Sequence, residues 1–350
     1  MTDTVIESKK SPDRSALGRV HFDETAPLLE VQDLKVEFHT RYGVAQAVNG
    51  VSFRLDEGET LGILGESGCG KSVTAQAIMG ILDSPPAKIA GGSIRFRGVD
   101  LLKMDERTRR HVRQNKIAII FQDALSSLNP VFTVGWQLAE VYRKHTGATR
   151  AQAKVKAAEL LELVGIPGAK QRANSFPHQF SGGQRQRVMI AMALALEPDV
   201  IIADEPTTAL DVTVQAQVMR LLADLQKSMQ MGLILITHDM GVMAEVADHL
   251  CVMYAGEAVE RASVHQLYEH PAHPYTKGLL ESIPRIDLKG EELRAIKGLP
   301  PPLTDLPPGC SFHPRCGFAR DRCKVDHPPL YEVPGNRGSA CHYWEEVIES

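Results

Sequence analysis

The eight residues Gly65-Glu66-Ser67-Gly68-Cys69-Gly70-Lys71-Ser72 constrain this chain more than any other stretch. They have the spacing Gly-x-x-x-x-Gly-Lys-Ser and follow the apolar run Leu61-Gly62-Ile63-Leu64. A buried strand that turns through glycines into a helix aims several backbone N–H groups at one spot, with the positive end of the helix dipole behind them. Such a turn binds phosphate. Lys71 is placed to meet the β- and γ-phosphates of a nucleotide, and the Ser72 hydroxyl to meet the Mg2+ that accompanies them. The nucleotide-binding set is expected to run from Gly65 through Val73, with Cys69 making a backbone contact and no redox role. The motif requires a strand–loop–helix unit, and therefore an α/β fold.

The remaining sequence supplies further units of that kind. Alternation from Leu28 to about Phe53 reads as strands joined by turns, and Gly92 to Gly98 as another short strand. Residues 105–115 read as a charged helix and Lys116 to Phe121 as a strand. From Thr133 to Ala173 the period becomes helical, with Val155, Ala158, Leu160, Leu161 and Leu163 on a helix that Gly165 and Pro167 stop. Strands at Val200–Ala203, Leu233–Thr237 and Leu250–Tyr254, with a helix at Val212–Met229, predict a parallel sheet with helices on both faces. Residues 1–27 are polar and read as a flexible arm, and residues 28–270 as the nucleotide-binding domain. Past Pro271 prolines cluster and four of the six cysteines appear, which reads as a separate C-terminal extension over 271–350.

Composition excludes several roles. A net charge of −4 argues against a nucleic-acid partner. No apolar run approaches the roughly 18–20 residues that span a bilayer. The N-terminus is charged where a secretory signal would be apolar, so the expected place is the cytoplasm.

Two further elements bear on chemistry. Asp204 and Glu205 end the apolar strand Val200–Ala203, and the carboxyl ends of such strands face the ligand crevice of an open α/β sheet. Asp204 could hold Mg2+, and Glu205 could polarise an attacking water as general base. Ser181-Gly182-Gly183-Gln184 opens a helix that Ser181 can cap, leaving exposed N–H donors for a phosphate.

Together these residues resemble the ATP-binding subunits of ABC transporters, over about residues 28–285. Ser181-Gly182-Gly183-Gln184 matches the family's signature, Gln122 its Q-loop glutamine, Ala209-Leu210-Asp211 its D-loop and His238 its switch histidine. Tyr42 stands where the family places an aromatic that stacks on adenine. Ala124 replaces a usual proline and Phe180 a usual leucine. The resemblance implies an ATPase with a RecA-like core, an antiparallel β-subdomain and a helical subdomain over about 123–190. Glu205, His238 and Gln122 would be catalytic, Ser72, Gln122 and Asp204 would hold Mg2+, and Asp211 would lie at a dimer interface. The signature would face ATP held by a second subunit.

Three stretches resemble the peptide-importer branch, the dipeptide and oligopeptide permease ATPases of bacteria. They are Phe121 to Pro130, His273-Pro274-Tyr275-Thr276 and the tail with Cys310, Cys316, Cys323 and Cys341. This implies import of peptides at the cytoplasmic face of the cell membrane. The implied partners are two membrane permease subunits, a second homologous ATPase and an extracytoplasmic solute-binding protein. Relatives in the same branch move nickel or other small solutes, and a soluble ABC ATPase is a more distant alternative. The four tail cysteines, spaced C-x5-C-x6-C-x17-C, fit neither a zinc-finger nor a ferredoxin template. Branch members imply a [4Fe–4S] cluster there; zinc, with His313, His327 and His342 close by, and free thiols stay open.

Overall fold

The computed structural model describes residues 20–122, 127–208, 210–282 and 296–350. The expectations for residues 1–19 of the arm, for Asp123 to Ser126 and for Ala209 lie outside the described residues.

Strands β1 (Leu29–Thr40) and β2 (Gly43–Leu55) form an antiparallel hairpin that turns at Arg41 and Tyr42. β3 (Thr60–Leu64) is buried along its whole length and passes through the glycine-rich loop into α1 (Lys71–Met79). Gly80 ends α1 in the left-handed conformation, its N–H returning to Ala77 O. β4 (Ala87–Phe96) and β5 (Val99–Asp100) follow, then α2 (Glu106–Lys116), capped by Asp105, and β6 (Ile117–Ile120). The strand expected from Gly92 is thus the end of a longer one. A shift of register opposite Asp33 and Leu34 breaks its alternation, which hides the first half from a period-2 reading.

The helical stretch holds α3 (Val134–Thr146), capped by Thr133, α4 (Arg150–Leu163), opened by a Thr149–Gln152 capping box, and α5 (Ala169–Arg172). α6 (Gly182–Leu194) leads to β7 (Val200–Asp204), α7 (Val212–Met229) to β8 (Gly232–Ile236), and α8 (Met240–Val246) to β9 (His249–Tyr254). The chain then adds β10 (Glu257–Ser263), α9 (Val264–Glu269), α10 (Pro274–Glu281), α11 (Asp321–Val325), β11 (Tyr331–Val333), β12 (Arg337–Ser339) and α12 (Trp344–Glu349).

The strands make two sheets. One has the order β2-β1-β4-β5 and is antiparallel. The other runs β11-β12-β10-β9-β3-β8-β7-β6, parallel from β9 to β6 and antiparallel beyond. Alternate residues of its central strands serve two cores. Ile201, Ala203, Leu233, Leu235, Leu250 and Val252 pack towards α6, α7 and the helical stretch. Val200, Ile202, Ile234, Ile236, Cys251 and Met253 pack towards α1 and the antiparallel sheet. Strand–helix alternation predicts helices on both faces, and the resemblance an antiparallel β-subdomain. On the second face the antiparallel sheet shares that role, because its inward residues Leu29, Val31, Val36, Val51 and Phe53 supply an apolar layer that α1 by itself lacks.

Residues 271–350 do not stand apart. Ser339 of β12 pairs with Glu260 of β10, extending the main sheet past the point where composition changes. Glu260 is fully buried and its carboxylate accepts from the N–H groups of Ala272 (2.7 Å) and His273 (3.0 Å), pinning the start of α10. The cue for separateness was compositional, and composition does not report strand pairing.

Candidate functional site

The glycine-rich loop needs its glycines. Gly65 has φ of 149° and Gly70 of 103°. A Cβ on Gly65 would lie 2.2 Å from Met253 O, and one on Gly70 2.2 Å from Ala47 O, so any side chain there meets backbone. The loop is therefore clamped between β9 and β2. Ser67 and Gly68 form its exposed crown, Cys69 is buried beneath them and Val73 packs on the apolar side of α1. Burial pushes the Cys69 thiol up, which suits an inert packing role. Lys71 is 5% exposed and its Nζ donates to Gly65 O (2.7 Å) and Glu66 O (2.9 Å), inside the curl of the loop.

The carboxyl ends of β6, β7 and β8 bring the other polar groups to this place. Ser72 Oγ donates to Asp204 Oδ1 at 3.0 Å. Asp204 is 7% exposed; burial raises its pKa, opposed by the Ser72 hydroxyl. A buried carboxylate beside a hydroxyl is an oxygen-only donor set of the kind Mg2+ takes. Glu205 turns outward with φ of 46°, a left-handed conformation costly for a side-chain-bearing residue and of the sort kept at functional sites. Its Oε2 accepts from Gln122 Nε2 (2.8 Å) and Thr208 Oγ1 (3.0 Å), and its Oε1 lies 3.6 Å from His238 Nδ1. Gln122 spends its amide nitrogen on Glu205, which leaves its side-chain carbonyl for a cation. The structure so gathers Lys71, Ser72, Asp204, Glu205, Gln122 and His238 at one end of the sheet.

Other expected residues lie away from that cluster. Ser181 caps α6, accepting from Gln184 N, while Gln184 accepts from Ser181 N in return. Gly182 is exposed, and a Cβ on Gly183 would come 2.3 Å from Val214 Cγ1, so α6 and α7 approach closely there. Among the described residues no hydrogen bond joins residues 181–184 to residues 65–72 of the same chain. Phe180 is buried beneath the Arg172 guanidinium, 4.2 Å away. Asp211 caps α7 through Val214 N (3.0 Å). Tyr42 is 77% exposed at the tip of the β1–β2 hairpin, with the Arg41 guanidinium 4.6 Å from its ring centre.

Sequence reasoning passed over three residues at the site. Thr208, on the turn after β7, holds Glu205. Tyr275 Oη accepts from Glu66 N at 2.9 Å. Arg315 donates to both carboxylate oxygens of Glu66. Thr208 could have been found from its place three residues after Glu205. No local pattern points from Arg315 to the loop.

Cys310, Cys316, Cys323 and Cys341 line one pocket together with Phe312, His313 and Tyr343. All four are unpaired thiols. Burial pushes Cys316 up to about 11, Cys341 up to about 12, and Cys310 upward as well. Among the described residues no three His, Cys, Asp or Glu side chains form a group that could hold a metal ion.

The comparisons with known proteins agree with this geometry. Residues 48–208 match the family described as ABC transporter, and residues 259–323 the family described as oligopeptide/dipeptide transporter, C-terminal region. The oligopeptide transport ATP-binding protein OppD of Bacillus subtilis (strain 168) is 52% identical over 307 residues, spanning 87% of this chain and 86% of that one. The dipeptide transport ATP-binding protein DppD of the same organism is 52% identical over 289 residues, spanning 83% and 86%. A dimeric bacterial ABC transporter cassette superposes with a TM-score of 0.60 at 28% identity, covering 67% of this chain and 98% of its own. A dimeric post-hydrolysis cassette bound to ADP and Pi has the same TM-score at 27% identity. With its phosphate loop, its paired strand-end carboxylates and relatives that match along most of its length, the chain belongs to the ATP-binding subunits of ABC transporters, in the oligopeptide/dipeptide branch.

Proposed function

We propose that this ATPase powers import of di- or oligopeptides across the cytoplasmic membrane. The observation that carries the chemistry is the convergence of Gln122, Thr208 and His238 on Glu205, beside the Ser72–Asp204 pair. The relatives named for oligopeptide and dipeptide transport supply the substrate class.

In this reading residues 65–73 hold the phosphates of ATP, Lys71 meets the β- and γ-phosphates, and Tyr42 stacks on the adenine. Ser72, Asp204 and Gln122 would hold Mg2+, which when bound neutralises charge on the phosphoryl oxygens. Glu205 takes a proton from water as the water oxygen attacks the γ-phosphorus and the bond to the bridging oxygen of ADP breaks. Gln122 and Thr208 fix which carboxylate oxygen faces that water, and His238 stands by the other. Ser181 and Gly182 are exposed at the start of α6, and in this reading Ser181 to Gln184 complete the site of a second ATPase subunit, with Asp211 at the interface.

No helix among the described residues is long and apolar enough to cross a membrane. In this reading coupling passes through two permease subunits, with a solute-binding protein delivering the peptide. The hollow lined by Met79, Ile119, Phe121, Val141 and Met189, between β6 and the helical stretch, suits a helix of the permease. Gln122 adjoins it, so occupancy of the hollow and the state of Glu205 are linked. In this reading the chain attaches peripherally to the cytoplasmic face.

We propose that the four cysteines hold a [4Fe–4S] cluster, with zinc as the alternative; all four line one pocket, as the ligands of a single group must. The thiols would be deprotonated on binding. A brown anaerobic preparation absorbing near 400 nm, roughly the cluster range, supports this; a colourless one with stoichiometric zinc overturns it.

Tagged chain recovered in mild detergent from native membranes tests the function. Two multi-span permeases and a second ATPase should come with it. A soluble complex without a permease would remove the transport reading and leave the ATPase.

A further inference from the structure

Glu66 of the phosphate loop and Arg315 of the tail are 249 positions apart in the chain and joined by a two-pronged ion pair. Arg315 Nη1 donates to Glu66 Oε2 at 2.6 Å and Nη2 to Oε1 at 2.9 Å. The Arg315 side chain is only 5% exposed. It lies between Cys310 and Cys316, reaches Tyr254 Oη at 3.4 Å, and gives its Nε to Lys297 O at 3.1 Å. Glu66 is held a second time, through its N–H, by Tyr275 Oη. Tyr275 is fully buried against Tyr254 (4.8 Å between ring centres) and Phe312 (5.4 Å), and Phe312 stands two residues after Cys310. The Glu66 carbonyl accepts from Lys71 Nζ.

Glu66 is thus the link between the lysine that meets phosphate and the segment that carries the cysteines. A carboxylate beside a triphosphate site repels the ligand unless a cation neutralises it and holds it turned away. The planar fork of arginine does both, and a lysine would supply the charge without the fixed geometry. A half-buried carboxylate left without its partner is costly, and the loop would shift to bring it to water.

We propose that Arg315 positions the phosphate loop through Glu66, so that docking of the cysteine-bearing tail sets how tightly the loop binds the phosphates of ATP. Arg315 touches no phosphate and acts as a positioning residue. The inference rests on residues 65–72 holding the nucleotide, which binding of ATP to the unaltered chain tests separately.

The experiment is equilibrium binding of Mg-ATP to the full chain, with its unfolding midpoint measured alongside. Arg315→Ala should weaken binding about tenfold or more. Adding Glu66→Gln to that variant removes the stranded charge and should recover most of the loss, although it restores no contact to the tail. A purely structural pair predicts no recovery. Binding by Arg315→Ala within about twofold of the unaltered chain, or a double variant as weak as the single one, overturns the proposal. Should Arg315→Ala not fold, Arg315→Lys carries the test. It should bind about threefold more weakly for want of the fork, and unchanged binding overturns the proposal.

Discussion

Gln122 Nε2 donates to Glu205 Oε2 across 2.8 Å, joining the end of β6 to the end of β7 at the point where the sheet meets the helical stretch. Gln122 directly follows Phe121, which lines the hollow between β6 and the helical stretch. In the proposed mechanism Glu205 is the base. Glu205→Gln should lower ATP turnover by about 10²–10⁴-fold, since positioned proton transfer contributes that much. Binding of Mg-ATP should survive. Phosphate release and nucleotide binding measured on one preparation check this, and turnover within tenfold of the unaltered protein would take Glu205 out of the mechanism.

Asp204 stands on different ground from its neighbour. It is buried against Ser72, and in the proposed mechanism it would hold the cation and not meet the water. Asp204→Asn should raise the Mg2+ concentration for half-maximal ATP binding by about tenfold or more, losing one charged ligand. ATP binding without Mg2+ should change little. Titration of each variant with Mg2+ separates the two effects, and equal loss with and without the ion would assign Asp204 to the fold alone.

The close approach of α6 and α7 gives a third expectation. A methyl group on Gly183 would collide with Val214, so Gly183→Ala should cost about 1–3 kcal/mol of stability. Val214→Ala in the same chain opens the space and should return most of it. Thermal unfolding of the single and double variants reads this directly. An unaltered midpoint for Gly183→Ala would mean the two helices part easily.

The pair His249–Glu59, 2.6 Å apart at the far end of the sheet, sets a pH dependence. The hydrogen bond to Glu59 raises the His249 pKa above its ordinary 6.5. Burial pushes Glu59 up, but the bond from His249, the Asp56 amide and the nearby positive charges outweigh it and leave it below 4.5. The histidine contribution is complete below pH 6.5 and is lost as pH rises through its raised pKa. The glutamate contribution is complete above pH 4.5 and is lost as pH falls through its lowered one. His249→Ala should therefore cost most stability between pH 4.5 and 6.5, and progressively less towards pH 9. Unfolding midpoints across that range check it, and a cost independent of pH would show that the pair is not charged.

Much of the site was readable because its signals are local. The loop announces itself by spacing, Ser181 by its place before a helix, and Asp204 and Glu205 by ending an apolar run. The residues that complete the picture are joined across the fold. Which groups meet Glu205 depends on three strand ends coming level, and that follows from the register Asp204–Ile236 and Ile120–Ala203, not from any one segment. The antiparallel sheet was expected from the resemblance and not from alternation, which shows that a strand has a buried side but not what it is buried against. The tail was misread as separate for the related reason that three-residue strands such as β11 and β12 carry almost no periodicity.

The pairing of Ser339 with Glu260 also bears on biosynthesis. A chain emerging from the ribosome makes β10 long before β12, and until residues 337–339 appear the outer edge of β10 offers unpaired N–H and C=O groups to any neighbouring strand. The last tenth of the polypeptide thus closes a sheet whose first strand, β3, was made near the beginning. Chains cut short within the tail keep every nucleotide motif, yet they present an open edge to other nascent chains, and such edges favour aggregation over assembly.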